Sequence, residues 1–461
     1  MTPVPLRVAI VGAGPSAFYA AEQLLHRDGL DVRIDMFDRL PTPYGLVRHG
    51  VAPDHQKIKP VAKAFAQVAA DPRFRFFGYV EYGKDLLIED LRRFYHQVLF
   101  ATGAQSDKRM GIPGEDLIGS HPATSFVAWY NGHPDYCDQK FDLSQERVVI
   151  VGVGNVAIDV ARILCLSPEE LRATDMADYA IEALSRSHVR DVFLLGRRGP
   201  AQAAFTNPEI KELSELADCD VIVEPSEMVL DEISKQAVAD AHDRALERKV
   251  ELLQSFAARE PVGRLRRLYL RFLVSPVELE DDGNGHVAGM RLVRNRLVRS
   301  ETGTISAEPT GVTEELRTGL VFRSVGYRGA ELPGVPFQER WGVVLNAHGR
   351  VLDPETQQPI PGEYVTGWIK RGPSGVIGTN KPDSAETVQL MLEDAAAGRT
   401  FQPDADAGDP EHRLVRDRQP KCVSFGDWCR LDAMELERGR EESRPRVKFT
   451  SVDKMLKALE K

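Results

Sequence analysis

The chain has 461 residues, 42% of them hydrophobic, which is enough for two or three domains of about 150 residues with buried cores. Its 59 Lys and Arg residues and 69 Asp and Glu residues give a formal net charge of −10, so no nucleic-acid-binding surface is predicted. No apolar run reaches the ~18 residues that indicate a membrane span, and no signal-peptide pattern precedes the first strand-like segment. We therefore expect a cytoplasmic protein, or a mitochondrial matrix protein if a targeting segment has been removed.

The cysteines are odd in number and scattered along the chain: Cys137, Cys165, Cys219, Cys422 and Cys429. They form no C-x-x-C pair, no ferredoxin-type run and no Cys/His cluster with the spacing of a zinc site. We therefore expect no dithiol relay, no iron–sulfur cluster and no metal site in this chain. The cysteines are interpreted as small buried hydrophobic residues.

The first predicted elements form a βαβ unit. They are a strand at 6–11, a glycine-rich turn at 12–16, a helix at 17–26 and a strand at 32–37. In the G-x-G-x-x-A turn, Gly12 allows a tight bend, Gly14 lets the backbone approach a pyrophosphate, and Ala17 permits close helix–strand packing. The amino end of the helix offers unpaired N–H groups to the anion. The pattern predicts a dinucleotide site, and a glycine turn that serves packing alone is the alternative.

Asp38 follows the second strand of this unit. A carboxylate at this position can accept hydrogen bonds from an adenosine ribose and would repel a 2′-phosphate. The first site therefore suits FAD or NAD and not NADP. The alternative is that Asp38 is an exposed loop residue.

The same pattern recurs farther along the chain. Its parts are a strand at 148–151, a second G-x-G-x-x-A turn at 152–157, a helix at 158–166 and a later strand at 192–195. Arg197 and Arg198 stand where the first copy has an acid, after a presumed helical insertion between 167 and 188. Two guanidinium groups can bind a ribose 2′-phosphate bidentately, so this copy favours NADP(H). A solvated basic face is the alternative.

Two βαβ units predict the α/β class, with two Rossmann-like dinucleotide-binding domains and the NADP domain inserted into the FAD domain. Polar, Gly/Pro-rich stretches near 106–120 and 324–329 are interpreted as the crossings between them. We predict an FAD-binding domain at 1–105 that continues at 326–461 with a C-terminal extension, and an NADP-binding domain at 106–325.

The first predicted site has no residues for a 2′-phosphate and the second has two arginines for one. The two sites together imply that the protein binds FAD and NADP(H) for hydride transfer between them. Two other classes also use such sites. A flavin monooxygenase would oxidise NADPH rapidly without an added acceptor, and a non-catalytic nucleotide sensor would show no flavin reduction.

Two long segments, 41–55 and 363–380, are dense in Gly, Pro and titratable residues and are not explained by core packing. They contain P-T-P-Y-G-L-V-R-H-G-V-A-P-D-H and G-W-I-K-R-G-P-S-G-V-I-G-T-N. Together with G-A-G-P-S-A, G-V-G-N-V-A-I-D-V-A-R-I-L and G-R-R-G-P, they resemble the adrenodoxin-reductase type of NADPH:ferredoxin oxidoreductase of mitochondria and bacteria. The resemblance covers nearly the whole chain.

The resemblance implies an FAD site with residues from both parts of the first domain. They are Gly12, Ala13, Gly14 and Ser16 at the pyrophosphate, Asp38 at the ribose, Val80 and Glu81 at the adenosine half, and Leu46, Trp368, Gly375, Val376 and Ile377 at the flavin. A helix that begins here would stabilise negative charge on the reduced ring with its amino end. Trp368 replaces the Asp of many related flavoproteins, as is usual in the adrenodoxin-reductase type.

The implied NADP(H) contacts lie in the second domain. They are Val153, Gly154, Asn155, Val156, Arg197, Arg198 and Glu209, with Gly375 where nicotinamide and flavin meet. A family arginine that contacts phosphate aligns with Lys108, and Arg109 is its neighbour, so both residues remain candidates.

His55 matches a family histidine near the flavin, and Glu212 matches an acid that can pair with it. Because hydride transfer needs no general base, we expect this pair to tune and orient the site or to handle the flavin proton. A structural role for the histidine is the alternative.

A basic segment at 244–299 holds 12 Lys and Arg residues and 7 Asp and Glu residues, a local charge of +5. An acidic ferredoxin or similar iron–sulfur protein would be steered towards such a surface. Pairing of these arginines with local acids is the alternative.

Overall fold

The computed structural model describes residues 5–404 and 408–461, which form two compact units. Unit 1 comprises the segment that ends at Ser106, the short segment Asn131–Cys137, and Gly326–Lys461. Unit 2 comprises Asp107–Tyr130 and Asp138–Val325. No helix in the described part of the chain combines the length and the apolar character needed to span a bilayer.

The strands alternate with helices through most of the chain. They are β1 Leu6–Val11, β2 Val32–Asp38, β3 Phe74–Gly78, β4 Gln97–Phe100, β5 Ser106–Asp107, β6 Ser120–Pro122, β7 Arg147–Val151, β8 Asp191–Gly196, β9 Cys219–Val223, β10 Arg266–Phe272, β11 Val274–Asp281, β12 Val287–Arg299, β13 Ile305–Arg317, β14 Leu320–Arg323, β15 Tyr327–Arg328, β16 Phe337–Gln338, β17 Val343–Val344, β18 Asn346–Ala347, β19 Arg350–Leu352 and β20 Pro359–Val365.

The α-helices include two long ones near the C-terminus. They are α1 Pro15–Leu25, α2 Leu46–His49, α3 Val61–Ala69, α4 Ile88–Phe94, α5 Ala123–Tyr130, α6 Asn155–Cys165, α7 Pro168–Arg172, α8 Asp178–Ser185, α9 Asn207–Leu213, α10 Glu232–Ala241, α11 Arg244–Ala257, α12 Trp368–Arg371, α13 Asn380–Ala396, α14 Arg416–Arg418, α15 Phe425–Glu441 and α16 Val452–Ala458. The presumed helical insertion between 167 and 188 is confirmed as α7 and α8.

Unit 1 contains a seven-stranded sheet in the order β18-β19-β20-β4-β1-β2-β3. β1 lies between β4 and β2 and is parallel to both. Its side chains enter two cores on opposite faces: Val8 and Ile10 pack on one face, and Ala9 and Val11 on the other. A strand buried on both faces needs apolar residues at every position, which explains the unbroken apolar run of β1.

The C-terminal extension is part of the unit 1 core. Trp428 and Leu431 of α15 and Met455 and Leu456 of α16 are buried in the same cluster as Val8. The sequence shows no catalytic pattern in this extension, and its packing indicates a structural contribution.

Unit 2 contains a six-stranded parallel sheet in the order β6-β14-β7-β8-β10-β9. A second sheet, β11-β12-β13, is antiparallel and packs against one face of the first, where Val149 and Val151 contact a core that includes Met290 and Leu292. The predicted α/β class with two Rossmann-like sheets is confirmed. The sheet of unit 1 is not parallel throughout, because β19 pairs antiparallel with both β18 and β20. The antiparallel sheet was not predicted.

One segment lies apart from the domain in which the sequence analysis placed it. Residues 131–137 belong to unit 1, whereas the predicted boundaries assign them to 106–325. The reason is a buried amine: Lys448 Nζ donates to the backbone oxygen and to Oδ1 of Asn131, at 3.2 and 3.3 Å. A contact 317 residues apart in sequence leaves no local pattern.

Candidate dinucleotide-binding sites

The first glycine turn joins β1 to α1. Gly12 has a φ of +101°, and a Cβ added there would lie 2.6 Å from the Ala101 carbonyl oxygen, so only glycine fits. At Gly14 an added Cβ would meet nothing within 4 Å, which leaves open space in front of the helix. In the described part of the chain, no side-chain hydrogen bond caps the amino end of α1. Its free N–H groups therefore face a space that suits a pyrophosphate.

Asp38 is held at the carboxyl end of β2 by two backbone donors. Its Oδ2 accepts from Ala13 N and its Oδ1 from Leu40 N, both at 2.9 Å. Burial raises the pKa of Asp38, and these two N–H groups oppose the shift. The Ala13 N–H is thus engaged by Asp38, while the Ala13 carbonyl accepts from Tyr44 N at 2.8 Å. Ala13 therefore ties the turn to Asp38 and to the 41–55 segment.

Val80 and Glu81 follow β3 at the same edge of the sheet as Asp38. Val80 N donates to the Asp38 carbonyl at 2.9 Å, and the Val80 side chain is buried. The Glu81 carboxylate points to solvent and lies 3.7 Å from Lys84 Nζ. The backbone of Val80, and not the side chains of Val80 and Glu81, therefore lies next to Asp38, the predicted ribose-binding residue.

The segment after β20 lies against the start of α1. A Cβ added at Gly367 would lie 2.5 Å from Ser16 Oγ, so the two backbones approach closely. Asp383 of α13 holds this bend, because its Oδ2 accepts from Gly367 N at 2.6 Å and from Thr366 Oγ1 at 3.1 Å. Ser384 Oγ donates to the Ser16 carbonyl at 2.9 Å. The sequence analysis did not single out Asp383 or Ser384.

Trp368 begins α12, and its indole Nε1 donates to the Ser374 carbonyl at 3.2 Å. Val376 is half exposed. Ile377 starts a single 3-10 turn, and the helix proper, α13, begins only at Asn380. The N–H groups near the expected flavin position therefore belong to this turn before the helix.

All predicted FAD residues lie in unit 1, and most follow the carboxyl ends of neighbouring parallel strands. The glycine turn follows β1, Asp38 ends β2, Val80 and Glu81 follow β3, and the 367–377 segment follows β20. Leu46 begins α2 in the 41–55 segment, which the hydrogen bond from Tyr44 ties to the turn, and His55 lies farther along it. Ligands of open α/β sheets bind at this edge.

The second glycine turn has the same geometry in unit 2. Gly152 has a φ of +130°, and an added Cβ would collide with the Ser324 carbonyl. Gly154 faces open space, and α6 begins at Asn155 without a side-chain cap. The Val153 carbonyl accepts from the N–H groups of Ala204 and Phe205. Asn155 Oδ1 accepts from Thr206 N at 2.9 Å, so Asn155 positions the loop before α9.

Arg197 and Arg198 follow β8 at the carboxyl edge of the sheet. Within the described residues, neither guanidinium pairs with a carboxylate, although Asn295 Nδ2 donates to the Arg197 carbonyl at 2.8 Å and fixes the backbone. The pKa of Arg198 is lowered by burial and by the charge of Arg197. Two adjacent cations that have no counter-ion in the described part of the chain could bind a dianion such as a phosphate.

The two candidates for the further phosphate contact have different surroundings. Arg109 lies 2.6 Å from Asp116 and 3.5 Å from Glu115. Lys108 is exposed and forms no ion pair in the described part of the chain. These surroundings favour Lys108.

Arg162 is the arginine of the G-V-G-N-V-A-I-D-V-A-R-I-L element, and the sequence analysis gave it no role of its own. It is buried in α6, and its guanidinium lies 2.5 Å from Glu212, 3.6 Å from Glu209 and 3.1 Å from Asp159. It thereby fixes α9 against α6. The sequence signal is a pair of charged residues, Asp159 and Arg162, in a helix whose other buried residues are apolar. The predicted pairing of Glu212 with His55 stays a prediction.

Comparisons with known proteins agree with this geometry. The family model for pyridine nucleotide-disulphide oxidoreductases matches residues 6–188. The chain is 45% identical over 463 residues to the NADPH-ferredoxin reductase FprA of Mycobacterium tuberculosis, covering 98% of this chain and 99% of the relative. It is 40% identical to the mitochondrial NADPH:adrenodoxin oxidoreductase of Arabidopsis thaliana, covering 98% and 95%.

A solved structure extends the likeness to the fold. The structure of Mycobacterium tuberculosis FprA in complex with NADPH has a TM-score of 0.93 and 45% identity, and the alignment covers 99% of this chain and all of that one. Identity at this level over nearly the full length, with both glycine turns in place, shows that the chain belongs to the adrenodoxin-reductase-type NADPH-ferredoxin reductase family.

Proposed function

We propose that this protein is an FAD-dependent ferredoxin–NADP(+) reductase that passes electrons between NADPH and an iron–sulfur protein of the ferredoxin type. The observation that carries the proposal is the contrast between the two turns. One is followed by Asp38, and the other by Arg197 and Arg198, which form no ion pair with a carboxylate among the described residues. Unit 1 is the proposed FAD-binding domain and unit 2 the proposed NADP-binding domain. The relatives' names, which include NADPH-ferredoxin reductase and NADPH:adrenodoxin oxidoreductase, support the same activity.

Bound FAD supplies the chemistry, since a flavin can accept two electrons as hydride and release them singly. The residues of this chain bind and orient. The uncapped N–H groups of α1 hold a pyrophosphate, Asp38 accepts from ribose hydroxyls, and Arg197 and Arg198 take the 2′-phosphate. Gly375, Val376 and Ile377 line the flavin with backbone and apolar groups.

A spectrum of the purified protein before and after anaerobic addition of NADPH tests the proposal. We expect a flavin spectrum that bleaches with NADPH and recovers on addition of an oxidised ferredoxin. Rapid NADPH oxidation in air without an added acceptor would identify a monooxygenase instead. Failure of NADPH to bleach the flavin would identify a nucleotide sensor.

The His55→Ala variant tests the role of the proposed site histidine. Because hydride transfer itself needs no proton, we expect flavin reduction to slow by about tenfold or less, with an altered pH profile and FAD retained. Stopped-flow reduction by NADPH at several pH values measures this. Complete loss of reduction with FAD still bound would show that His55 is essential, and an unchanged rate and pH profile would leave it a structural residue.

Most arginines of the 244–299 segment are neutralised in the structure. Among those paired with acids, Arg267 lies 2.6 Å from Asp191, Arg271 2.8 Å from Glu227, and Arg296 3.3 Å from Glu308. Arg266 is buried. Most arginines of the segment are therefore paired with acids, which was the alternative to a ferredoxin-binding surface. Any attraction of an acidic ferredoxin to this segment depends on the few exposed cations that remain.

The exposed cations without an ion pair among the described residues are Arg244, Arg259 and Arg299. We expect reversal of these three to Glu to raise the KM for ferredoxin several-fold and to flatten its salt dependence, because steering charges are screened over ~8 Å at physiological ionic strength. NADPH–ferricyanide activity should stay unchanged. Steady-state assays with both acceptors at several salt concentrations measure this.

The matched control reverses three other exposed cations of unit 2, Lys140, Arg172 and Arg186, and so changes the net charge equally. If the control raises the KM for ferredoxin as much as the first variant does, the effect comes from net charge and not from a docking surface in the 244–299 segment. If both acceptors are affected equally by the first variant, the substitutions have damaged the fold or the NADP site.

We also propose that the protein works in a reducing compartment such as the cytoplasm. All five cysteines are free thiols. Disulfides are rare in such compartments, so a chain with several unpaired cysteines suits one.

A further inference from the structure

Arg266, the first residue of β10, is a buried cation that has no counter-ion among the described residues. The residue is 7% exposed, and its Nε is buried with no hydrogen-bond partner among the described residues. No carboxylate in the described part of the chain forms an ion pair with it. Its neighbours differ: Arg267 pairs with Asp191 at 2.6 Å, and Arg264 donates to the Leu216 carbonyl at 2.6 Å.

The thiols near Arg266 do not supply the missing negative charge. Arg266 lies close enough to Cys165 to lower its pKa, but the hydrogen bond with Cys219 and burial together raise that pKa well above its usual value. Cys165 is therefore a neutral thiol at physiological pH. An arginine cannot release its proton to escape the cost of burial, so the site calls for an external anion.

Arg266 lines a cleft of about 340 Å³ together with Ser187, His188, Arg190 and Glu146. The backbone fixes this arrangement, because Arg267 N donates to the Arg190 carbonyl at 2.7 Å and Arg190 N donates to the Glu146 carbonyl at 2.9 Å. Two arginines and a histidine thus lie among the residues that line one cleft. The only acid of the lining, Glu146, is exposed and pairs with neither arginine among the described residues.

This cleft is separate from the dinucleotide turn of the same unit. It lies at the amino ends of β7, β8 and β10, whereas the glycine turn and Arg197 follow the carboxyl ends of β7 and β8. At about 3.3 Å per residue, the six residues of β8 separate the two edges by roughly 17 Å. One phosphate group cannot contact both sites.

We propose that this cleft of unit 2 is a second anion site, which binds a phosphate group through Arg266 with the help of Arg190. The planar guanidinium fork matches phosphate oxygens bidentately, and burial of Arg266 strengthens such a contact. The cleft has room for the remainder of a small phosphomonoester. The proposal does not depend on which electron acceptor the protein uses.

Phosphate binding to the FAD-loaded protein tests the site. The background is Arg197→Ala/Arg198→Ala, which removes the socket for the 2′-phosphate. The protein is titrated with inorganic phosphate, with chloride adjusted to keep the ionic strength constant. We expect equilibrium dialysis to show saturable phosphate binding and the midpoint of thermal unfolding to rise with phosphate concentration. Glycerol 3-phosphate in a parallel titration distinguishes the two sources: tighter binding than phosphate indicates an organic phosphate, and equal or weaker binding indicates the free ion.

Arg266→Met, added to this background, should weaken phosphate binding by about tenfold or more, because it removes a charge-assisted contact. In phosphate-free buffer its unfolding midpoint should equal or exceed that of its parent, because an unpaired buried charge is replaced by an apolar side chain of similar length. A lower midpoint in that buffer would show that Arg266 serves the fold, and would overturn the proposal.

Arg190→Gln, at an exposed position, keeps the proposal testable if the Arg266 variant does not fold. We expect several-fold weaker phosphate binding in this variant and none of that loss in Arg186→Gln, an exposed arginine outside the cleft that pairs with Glu182. Absence of saturable binding in the background protein would overturn the proposal. Equal binding by the background protein and either cleft variant would do the same.

Discussion

Replacement of Arg197 and Arg198 by Ala should abolish the preference for NADPH over NADH. Each guanidinium contributes charge-assisted hydrogen bonds of roughly 1.5–3 kcal/mol to a 2′-phosphate, so we expect kcat/KM for NADPH to fall by about 100-fold or more. The value for NADH, which lacks the phosphate, should change little. The expectation is sharp because neither arginine has a carboxylate partner in the described chain, so the substitutions remove no ion pair of the fold.

Steady-state kinetics with ferricyanide as acceptor measures both coenzymes without involving a ferredoxin. Arg186→Ala is the control, since it removes one exposed cation of the same unit away from the turn. An unchanged ratio of the two kcat/KM values in the double variant would mean that the 2′-phosphate binds elsewhere. An equal fall in kcat/KM for NADPH and NADH would mean that the two arginines stabilise the second glycine turn and do not bind the 2′-phosphate.

The parts of the sites that the sequence predicted are those built from contiguous residues. The strand, glycine turn and helix at 6–25 fall within two residues of the prediction, because the bend at Gly12, the uncapped helix start and the apolar run of β1 are all local requirements. Arg197 and Arg198 were found for the same reason, since they directly follow β8.

The parts that it missed depend on partners distant in the sequence. Arg162 meets Glu212 across 50 residues, and Asp383 fixes the bend at Gly367 from the following helix. The charge count of the basic segment was misleading because it includes cations but not their distant partners. Arg271, for example, is neutralised by Glu227 and Glu314, both of which lie outside the segment. Local charge is readable from sequence, whereas pairing follows from the fold.

The largest effect on stability is expected from the ion pair between Arg48 and Glu435. Arg48 lies in α2, two residues after the predicted flavin contact Leu46, and Glu435 lies in α15 of the C-terminal extension. Two hydrogen bonds of 2.8 and 2.6 Å join their side chains, which are 4% and 0% exposed. The Arg48 guanidinium also lies 5.0 Å from the centre of the Trp428 ring. The pair thus ties the extension to the 41–55 segment.

Glu435→Ala should lower the free energy of unfolding of unit 1 by roughly 3–5 kcal/mol, because it leaves the Arg48 guanidinium buried without a partner. Denaturant titration followed by tryptophan fluorescence measures the loss, and flavin fluorescence shows whether FAD is released at a lower denaturant concentration. Glu437→Ala is the control on the same helix. Its pair with Arg440 is exposed, so we expect less than about 1 kcal/mol.

The pH dependence of stability gives the same pair a second signature. Burial alone would raise the pKa of Glu435, but the charge and hydrogen bonds of Arg48, together with Arg446, hold it below its usual value. A carboxyl whose pKa is depressed by folding stabilises the fold above its unfolded pKa and loses that contribution as pH falls through the folded value. The wild-type protein should therefore lose stability towards acid more steeply than Glu435→Gln.

The double variant Arg48→Met/Glu435→Met separates a buried charge from a lost contact. With both charges removed, no ion is left unpaired, so most of the stability lost in Glu435→Ala should return. A remainder should stay lost because Phe449 N, which donates to Glu435 Oε1 at 2.8 Å, keeps no acceptor. If the double variant is as unstable as Glu435→Ala, the hydrogen-bond network around Glu435, and not the charge of Arg48, holds the extension in place.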